Sequence, residues 1–173
     1  MCFSSDLDTW TLSAVMFDYK YDMACAVNSV PEMIINGGNR DPYGTWTTSD
    51  GEAFRILPEM PSGNYGHCAV SLDGDDLFVT GNFDSFLYHS DTIKWERLRD
   101  IPTTRSGLAC GMVHNSAGEQ EIITAGGYGV YDRVEIFNLQ SGQWRTGQSN
   151  EVSLIFIETV VLIAKIHYRK SFA

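Results

Sequence analysis

A short apolar run followed by two turn-forming residues occurs three times in this chain. The three copies are Met33–Asn36 with Gly37-Gly38, Leu77–Thr80 with Gly81-Asn82, and Ile122–Ala125 with Gly126-Gly127. Successive copies lie 44 and 45 residues apart. Repeats of about this period are typical of β-propellers, in which each repeat forms one small four-stranded sheet, or blade. The period therefore predicts the architecture before any single motif is considered.

Two further markers recur in the same phase. An aromatic residue closes each unit, at Trp10, Phe54, Trp95 and Trp144. Small and apolar residues open the units around Cys25, Cys68 and Cys110. The agreement of the markers predicts the end of a preceding blade in residues 1–22, three repeats in residues 23–62, 63–103 and 104–147, and an apolar tail in residues 148–173.

Turn signals divide each unit into short strands. Asp73-Gly74 lies between the apolar runs Cys68–Leu72 and Leu77–Thr80, and an Asp-Gly pair in this setting is a strong hairpin signal. Third strands follow at Ser85–His89 and Val134–Leu139. Glycine and proline interrupt the repeats too often for a helix of ordinary length. We therefore predict an all-β fold of four-stranded antiparallel propeller blades that form an incomplete ring.

The third unit carries the most specific pattern. It combines a Pro-x-x-Arg motif at Pro102–Arg105, the strand Val134–Asn138 and the closing motif Gly142-Gln143-Trp144 with the double glycine. Together these motifs resemble kelch repeats, and the resemblance covers roughly residues 7–145. It implies a β-propeller of kelch-type blades.

Two positions depart from the kelch pattern. Asn82 replaces a glycine, although asparagine tolerates a positive φ better than most residues do. Phe54 replaces the usual tryptophan of the first unit. Kelch propellers close with more than three blades, so the chain corresponds to part of a larger ring. Such a part would expose apolar sheet faces, and we expect it to be marginally stable by itself or completed by another chain.

The charge balance restricts the class of partner. The formal net charge is −10 and the pI is about 4.6, whereas a nucleic-acid-binding surface needs clustered Lys and Arg. We therefore predict no nucleic-acid partner, and a basic or neutral protein surface fits better. No Asn-x-Ser/Thr acceptor and no basic-then-apolar leader pattern occurs in the sequence.

The cysteines give a prediction about compartment. Cys25, Cys68 and Cys110 occupy similar positions in successive units, so we expect them to lie in separate blades, too far apart for a disulfide. Small buried thiols that pack the core are the simpler interpretation. Unpaired thiols favour a reducing compartment, and the predicted location is the cytoplasm.

The apolar tail allows three interpretations. Residues 151–166 are rich in β-branched residues, but Glu158 and Lys165 interrupt the run. A transmembrane helix is disfavoured because about 20 mostly apolar residues are needed. The opening strand of an unfinished blade and a non-repeat tail remain as alternatives.

No motif in the chain predicts catalysis. The four histidines His67, His89, His114 and His167 are not spaced like metal ligands, and we expect His67 to make a structural hydrogen bond. Asp75-Asp76 and Asp84 are expected to be solvated turn residues. Galactose oxidase has a related propeller, but no residue set here matches its copper site. We predict no catalytic residue, no cofactor, no metal and no enzymatic activity.

The remaining candidate is a binding surface. Loops on a rigid scaffold concentrate binding residues, and kelch propellers usually bind partners through the loops after the second strand and those between blades. The corresponding candidate residues here are Arg40, Tyr43, Asn64, Tyr65, Asn82, Phe83, Arg105, Tyr128 and Tyr131.

These residues predict a protein-interaction module that binds a peptide or a protein. Substrate adaptors of ubiquitin ligases are among the proteins it resembles, so a fragment of such an adaptor is one specific possibility. A carbohydrate-binding or galactose-oxidase-like protein on the same scaffold is the first alternative. An incomplete gene product without independent function is the second.

Overall fold

The computed structural model describes residues 2–4, 9–11, 21–30, 32–50 and 53–148. Within these ranges the secondary structure is entirely β, and no helix is present. Strands β1 (Cys2–Ser4) and β2 (Thr9–Thr11) form a two-stranded antiparallel sheet, with Phe3 opposite Trp10. The rest of the described chain forms three four-stranded sheets.

Each four-stranded sheet is built from consecutive strands. The first sheet contains β3 (Ala24–Val27), β4 (Met33–Asn36), β5 (Thr45–Thr48) and β6 (Arg55–Leu57). The second sheet contains β7 (Cys68–Ser71), β8 (Leu77–Gly81), β9 (Asp84–His89) and β10 (Lys94–Arg97). The third sheet contains β11 (Ala109–His114), β12 (Gln120–Ala125), β13 (Val134–Asn138) and β14 (Gln143–Thr146).

The strand order in every sheet is the sequence order, and all neighbours are antiparallel. The hairpin expected at Asp73-Gly74 joins β7 to β8, where the amide of Leu72 donates to the carbonyl of Asp76 at 2.8 Å. The first strands of neighbouring sheets lie beside one another, β3 next to β7 and β7 next to β11. The three sheets are not closed into a barrel, and the fold is an incomplete, propeller-like arrangement, as predicted.

Three apolar clusters lie between the sheets, and the smallest contains Cys68, Ile101 and Leu108. The contact between the first and second sheets, called the first junction, contains Ile34, Met60, Leu77, Val79 and Tyr88. The contact between the second and third sheets, called the second junction, contains Leu72, Phe78, Ile122, Phe137 and the partly buried Trp144. Side chains alternate along a strand, so the second sheet supplies Val79 to one junction and Phe78 to the other.

The closing tryptophans link each sheet to the one before it. The indole Nε1 of Trp95 donates to the carbonyl of Pro58, and that of Trp144 donates to the carbonyl of Arg99, both at 2.9 Å. Both acceptors lie just after the last strand of the preceding sheet. Phe54 has no donor group, and it lies before β6 rather than within it, so the first unit differs from the other two at this position.

The prediction for the cysteines is wrong. Cys68 and Cys110 form a disulfide across the second junction, with their Cα atoms 5.9 Å apart. The error comes from the register. Cys25 pairs with Ile35 and Cys110 pairs with Thr124, and both partners lie two residues before the first glycine of the turn. Cys68 pairs with Thr80, which directly precedes Gly81.

By these pairings, Cys68 lies one residue earlier in the register of its strand than Cys25 and Cys110 do in theirs. A one-residue offset turns a strand side chain to the opposite face. Cys68 therefore points towards the third sheet while Cys110 points back towards the second. The expectation of a reducing compartment depended on unpaired thiols and loses that support.

Candidate functional site

The meander topology sends two kinds of loop to opposite ends of the sheets. At one end lie the loops from second to third strands, residues 37–44, 82–83 and 126–133, together with the segments that precede each first strand, residues 21–23, 61–67 and 102–108. We call this end the aromatic end, and we call these three segments the leading segments. The hairpins between first and second strands and between third and fourth strands lie at the hairpin end.

Backbone hydrogen bonds connect the three leading segments side by side. The amide of Gly66 donates to the carbonyl of Asp22 at 2.8 Å, and the amide of Gly107 donates to the carbonyl of Gly66. Asp22, Gly66 and Gly107 all have positive φ, at 57°, 57° and 65°. The repeated conformation gives the aromatic end a continuous backbone frame.

The double glycine is required by close packing against this frame. Gly37 has φ +58°, and a Cβ at this position would lie 2.4 Å from the carbonyl oxygen of Asn64. Gly38 has φ +101° and donates its amide to the same carbonyl at 2.9 Å. A side chain at Gly37 would push the loop off the leading segment of the next sheet, and one at Gly38 would meet Tyr21 and Met23 in the leading segment of its own sheet.

All exposed aromatic side chains of residues 21–148 lie at the aromatic end. They are Tyr21, Tyr43, Tyr65, Phe83, Tyr128 and Tyr131. Tyr128 and Phe83 are the most exposed, at 71% and 66% of their surface. The sequence prediction contained five of these six residues and missed Tyr21. A signal was available, because Tyr21-Asp22 occupies the repeat position of Tyr65-Gly66.

Arg105 does not belong to the exposed surface that the sequence suggested. It is 2% exposed, and its guanidinium lies in the second junction. Nη2 contacts Glu135 Oε2 at 3.0 Å and Thr124 Oγ1 at 2.6 Å, and Nη1 donates to the carbonyl of Arg133 at 3.0 Å. Burial lowers the pKa of Arg105 from its ordinary value, and the charge of Glu135 opposes that shift. The arginine is a structural group beneath the aromatic end.

Asn64 and Asn82 support the aromatic rings. Asn64 is buried, contrary to the expected exposure, and its amide donates to the carbonyl of Gly81 at 3.3 Å. Asn82 has φ +50°, as its replacement of a glycine implied. Its Nδ2 donates to Asn64 Oδ1 and to the carbonyl of Tyr65, both at 2.7 Å. These bonds hold the backbone that presents Tyr65 and Phe83.

The remaining candidates lie on the loop of the first sheet and the loop of the third. Arg40 is exposed with φ +83°. Tyr43 lies over Gly63, and its carbonyl accepts from the amide of Met60 at 2.8 Å. Tyr128 is fixed by its amide, which donates to the carbonyl of Ser106 at 2.7 Å. The aromatic side chains therefore project from backbone that is hydrogen-bonded.

His67 has the structural role expected for it. Its Nε2 hydrogen-bonds to Asn36 Oδ1, and because an amide oxygen only accepts, Nε2 carries the proton. Burial lowers the pKa of His67 to about 4. His67 Nδ1, Asn36 Nδ2, Thr45 Oγ1 and Thr47 Oγ1 are buried without a hydrogen-bond partner. The first junction thus contains these four polar atoms without partners, whereas the second contains the ion pair of Arg105 and Glu135.

The hairpin end carries a cluster of carboxylates around His89. Asp76, His89 and Asp91 place their ligand atoms within 4.8 Å of one another. His89 Nδ1 contacts Asp76 Oδ2 at 3.1 Å and its Nε2 contacts Glu96 Oε2 at 2.9 Å. The bond to Glu96 is the main cause of the raised pKa of His89. Both ring nitrogens are engaged, so a metal would have to displace these contacts.

Neither Asp75 nor Asp84 is a merely solvated turn residue, contrary to expectation. Asp75 accepts from the amide and hydroxyl of Ser29 at 2.7 and 2.9 Å, which ties the hairpins of the first two sheets together. Asp84 contacts Arg97 Nη2 at 2.7 Å and accepts from the hydroxyl of Ser62. These carboxylates stabilise loops.

An open groove of about 360 Å³ lies on the third sheet. Its lining includes Glu119, Glu121, Asn138, Trp144 and Arg145. Arg145 pairs with Glu121 at 2.7 Å, and Asn138 donates to Glu119 at 2.8 Å. The groove therefore presents amide, carboxylate and guanidinium groups beside Trp144.

The sequence matches no protein-family model, and no curated protein is significantly similar to it. Within the residues that the structure describes, no helix has the length and apolar character needed to cross a membrane. The predicted apolar tail, with its three interpretations, lies outside the described residues.

Proposed function

We propose that this chain is a kelch-type interaction module that binds a peptide or protein segment through the aromatic end. The observation that carries the proposal is the placement of all six exposed aromatic side chains of residues 21–148 at that one end. Exposed tyrosine and phenylalanine supply rigid contact area with little loss of side-chain entropy, and tyrosine adds a directed hydrogen bond.

The construction of the aromatic end supports this function. The leading segments are joined by backbone hydrogen bonds, and the side chain of Asn82 donates to the backbone carbonyl of Tyr65. A preorganised surface binds with a smaller entropic cost than a flexible one. The assignment to the kelch type is supported by the four-stranded meanders, the paired glycines and the hydrogen bonds from each tryptophan indole to the segment after the preceding sheet.

Peptide selection with matched variants tests the proposal. Peptides would be selected from a random displayed library against the intact chain and then measured against Tyr65→Ala/Phe83→Ala/Tyr128→Ala. The control is Val30→Ala/Ile56→Ala/Ile93→Ala, which removes exposed apolar side chains outside the aromatic end. We expect the aromatic variant to lose affinity at least tenfold and the control to keep it. Equal binding to both variants would contradict the proposal.

A second candidate function is sugar binding at the groove of the third sheet. The observation that favours it is the combination of Asn138, Glu119 and Arg145 with Trp144 in one open groove, since such polar groups can fix hydroxyls beside an aromatic residue. A glycan array with the wild-type chain and an Asn138→Ala variant tests it. A sugar signal that Asn138→Ala removes would support this function, and an array without signal would exclude the tested sugars.

A further inference from the structure

The Cys68–Cys110 disulfide crosses between two sheets that share no strand pairing. Cys68 begins β7 and Cys110 lies in β11, and these strands belong to different sheets. The bond closes a segment with a sequence separation of 42 residues, which contains the rest of the second sheet and the leading segment of the third. It therefore restricts how far the third sheet can move from the second.

The two bonded cysteines differ in exposure. Cys68 is 8% exposed, beside the buried Ile101 and Leu108. Cys110 is only partly buried, at the edge of the same cluster. Cys110 is therefore the more accessible of the two cysteines to a small thiol, and reduction of a disulfide requires access to one of its sulfurs.

The equivalent place at the first junction shows that a cross-link is not needed for the sheets to pack. By the register of the paired strands, the counterparts of Cys68 and Cys110 are Ala24 and Ala69. Both alanines pack within the first junction, Ala24 buried and Ala69 against its cluster. The first junction thus packs in the same way without a covalent bond, and the disulfide is an addition at the second junction.

We propose that Cys68–Cys110 is a redox-controlled cross-link that locks the third sheet to the second and loosens the second junction when reduced. The proposal goes beyond the binding function and does not depend on any partner. The oxidation state of this cross-link follows the thiol–disulfide balance around the protein.

The chemistry balances with a small thiol such as glutathione. A glutathione thiolate attacks Cys110 Sγ, the Sγ–Sγ bond breaks, and Cys68 leaves as a thiolate that takes up a proton. A second glutathione thiolate attacks the mixed disulfide at the glutathione sulfur and releases Cys110 as a thiolate. Two glutathiones are oxidised to glutathione disulfide, and the cysteine pair gains the two electrons. Oxidation by glutathione disulfide is the reverse sequence.

The cross-link acts close to the aromatic end. Tyr65 precedes Cys68 by three residues, and Ser106, whose carbonyl holds the amide of Tyr128, precedes Cys110 by four. Reduction leaves the bond from the amide of Gly107 to the carbonyl of Gly66 as the nearest backbone link between the two leading segments. We therefore expect the amides of these segments to exchange faster in the reduced protein.

The test compares oxidised and reduced protein of otherwise identical composition. After equilibration with glutathione disulfide, differential alkylation and mass spectrometry should recover a peptide cross-linked through Cys68 and Cys110, with Cys25 alkylated. Thermal melting of the reduced protein should then fall by about 10 °C, because a closed loop of this length stabilises by loop-closure entropy. Faster hydrogen exchange should be confined to the second junction and the two leading segments.

Matched variants separate the cross-link from general thiol effects. Cys68→Ala/Cys110→Ala reproduces the residue pair of the first junction and should melt like reduced wild type, with no further response to glutathione. Cys25→Ala should keep the full response. A cross-linked peptide that is absent after oxidation, or equal melting of oxidised and reduced wild type, would overturn the proposal. Both readouts use the wild-type chain, so they remain decisive if the double variant fails to fold.

Discussion

The two junctions are built from equivalent strands but differ in chemistry. At the first junction His67 contacts Asn36, and two threonine hydroxyls and two nitrogens nearby are buried without partners. At the second junction Leu108 takes the repeat position of His67, and Arg105 forms a buried ion pair with Glu135, with Arg105 Nε buried without a partner. Phe78, Phe137 and Trp144 pack ring to ring, with centroids 5.0 to 6.4 Å apart.

This difference predicts unequal stability at the two junctions of a repeated backbone. Buried polar groups without partners reduce stability, whereas a disulfide adds to it. We therefore expect the first sheet to separate from the second more easily than the third does. The following changes would break or sharpen the comparison.

The largest effect is expected at the buried ion pair of the second junction. Arg105→Ala leaves Glu135 buried without its cation, and breaking a buried pair in this way costs about 3–5 kcal/mol. The control is Arg55→Ala, which removes an exposed partner of Glu32 and should cost under about 1 kcal/mol. Urea denaturation measures both, and similar losses in the two variants would refute the distinction.

A second cross-link can be added to the first junction. Ala24→Cys/Ala69→Cys places cysteines at the positions equivalent to Cys68 and Cys110, and we expect a disulfide that raises the free energy of unfolding by about 2–4 kcal/mol. Mass spectrometry under oxidising conditions identifies the bond, and denaturation with and without reductant measures its contribution. If the cysteines stay reduced, the two junctions are not geometrically equivalent.

The first junction should also be sensitive to acid. His67 has a pKa of about 4 in the folded chain and an ordinary value of 6.5 when unfolded, so the unfolded chain binds the proton first as pH falls. The stabilisation is complete above pH 6.5 and is lost progressively towards pH 4, by about 3 kcal/mol in total.

His67→Leu copies Leu108 and isolates this contribution. The carboxylates titrate in both proteins, so the difference between the two stability–pH curves should follow His67 alone. Denaturant titrations between pH 7 and pH 4 give the two curves. Parallel curves would show that His67 is not buried in its neutral form.

The smallest expected effect concerns the turns at the hairpin end. Ile93 has φ +56° in the second sheet, where the third sheet has Gly142 with φ +66°, and both amides donate to the carbonyl four residues earlier at 2.9 Å. A β-branched residue is strained in this conformation. Ile93→Gly should stabilise by about 1 kcal/mol, after the entropic cost of glycine is subtracted. The reciprocal Gly142→Ile should destabilise, and urea midpoints would detect either sign.

Much of the fold was predictable because its signals are local. The double glycines, the Asp73-Gly74 turn and the recurring Trp95 and Trp144 each report on a few neighbouring residues, and strand pairing by short hairpins follows from such signals. The exposed rings of the aromatic end were predictable for the same reason, since loop positions in a repeat share one end of the sheets.

Which residues meet across a junction was decided only in three dimensions. The sequence predicts Arg105 in an exposed loop. In the structure its side chain is buried and bonds to Glu135 and Thr124 of the third sheet. Cys68 bonds to Cys110 because a single-residue offset in register reverses the face of the strand, and no motif marks that offset. The sequence by itself determined the blades and their loops. The tertiary structure decided how the blades are joined, because packing between sheets depends on facing side chains that lie some forty residues apart in the chain.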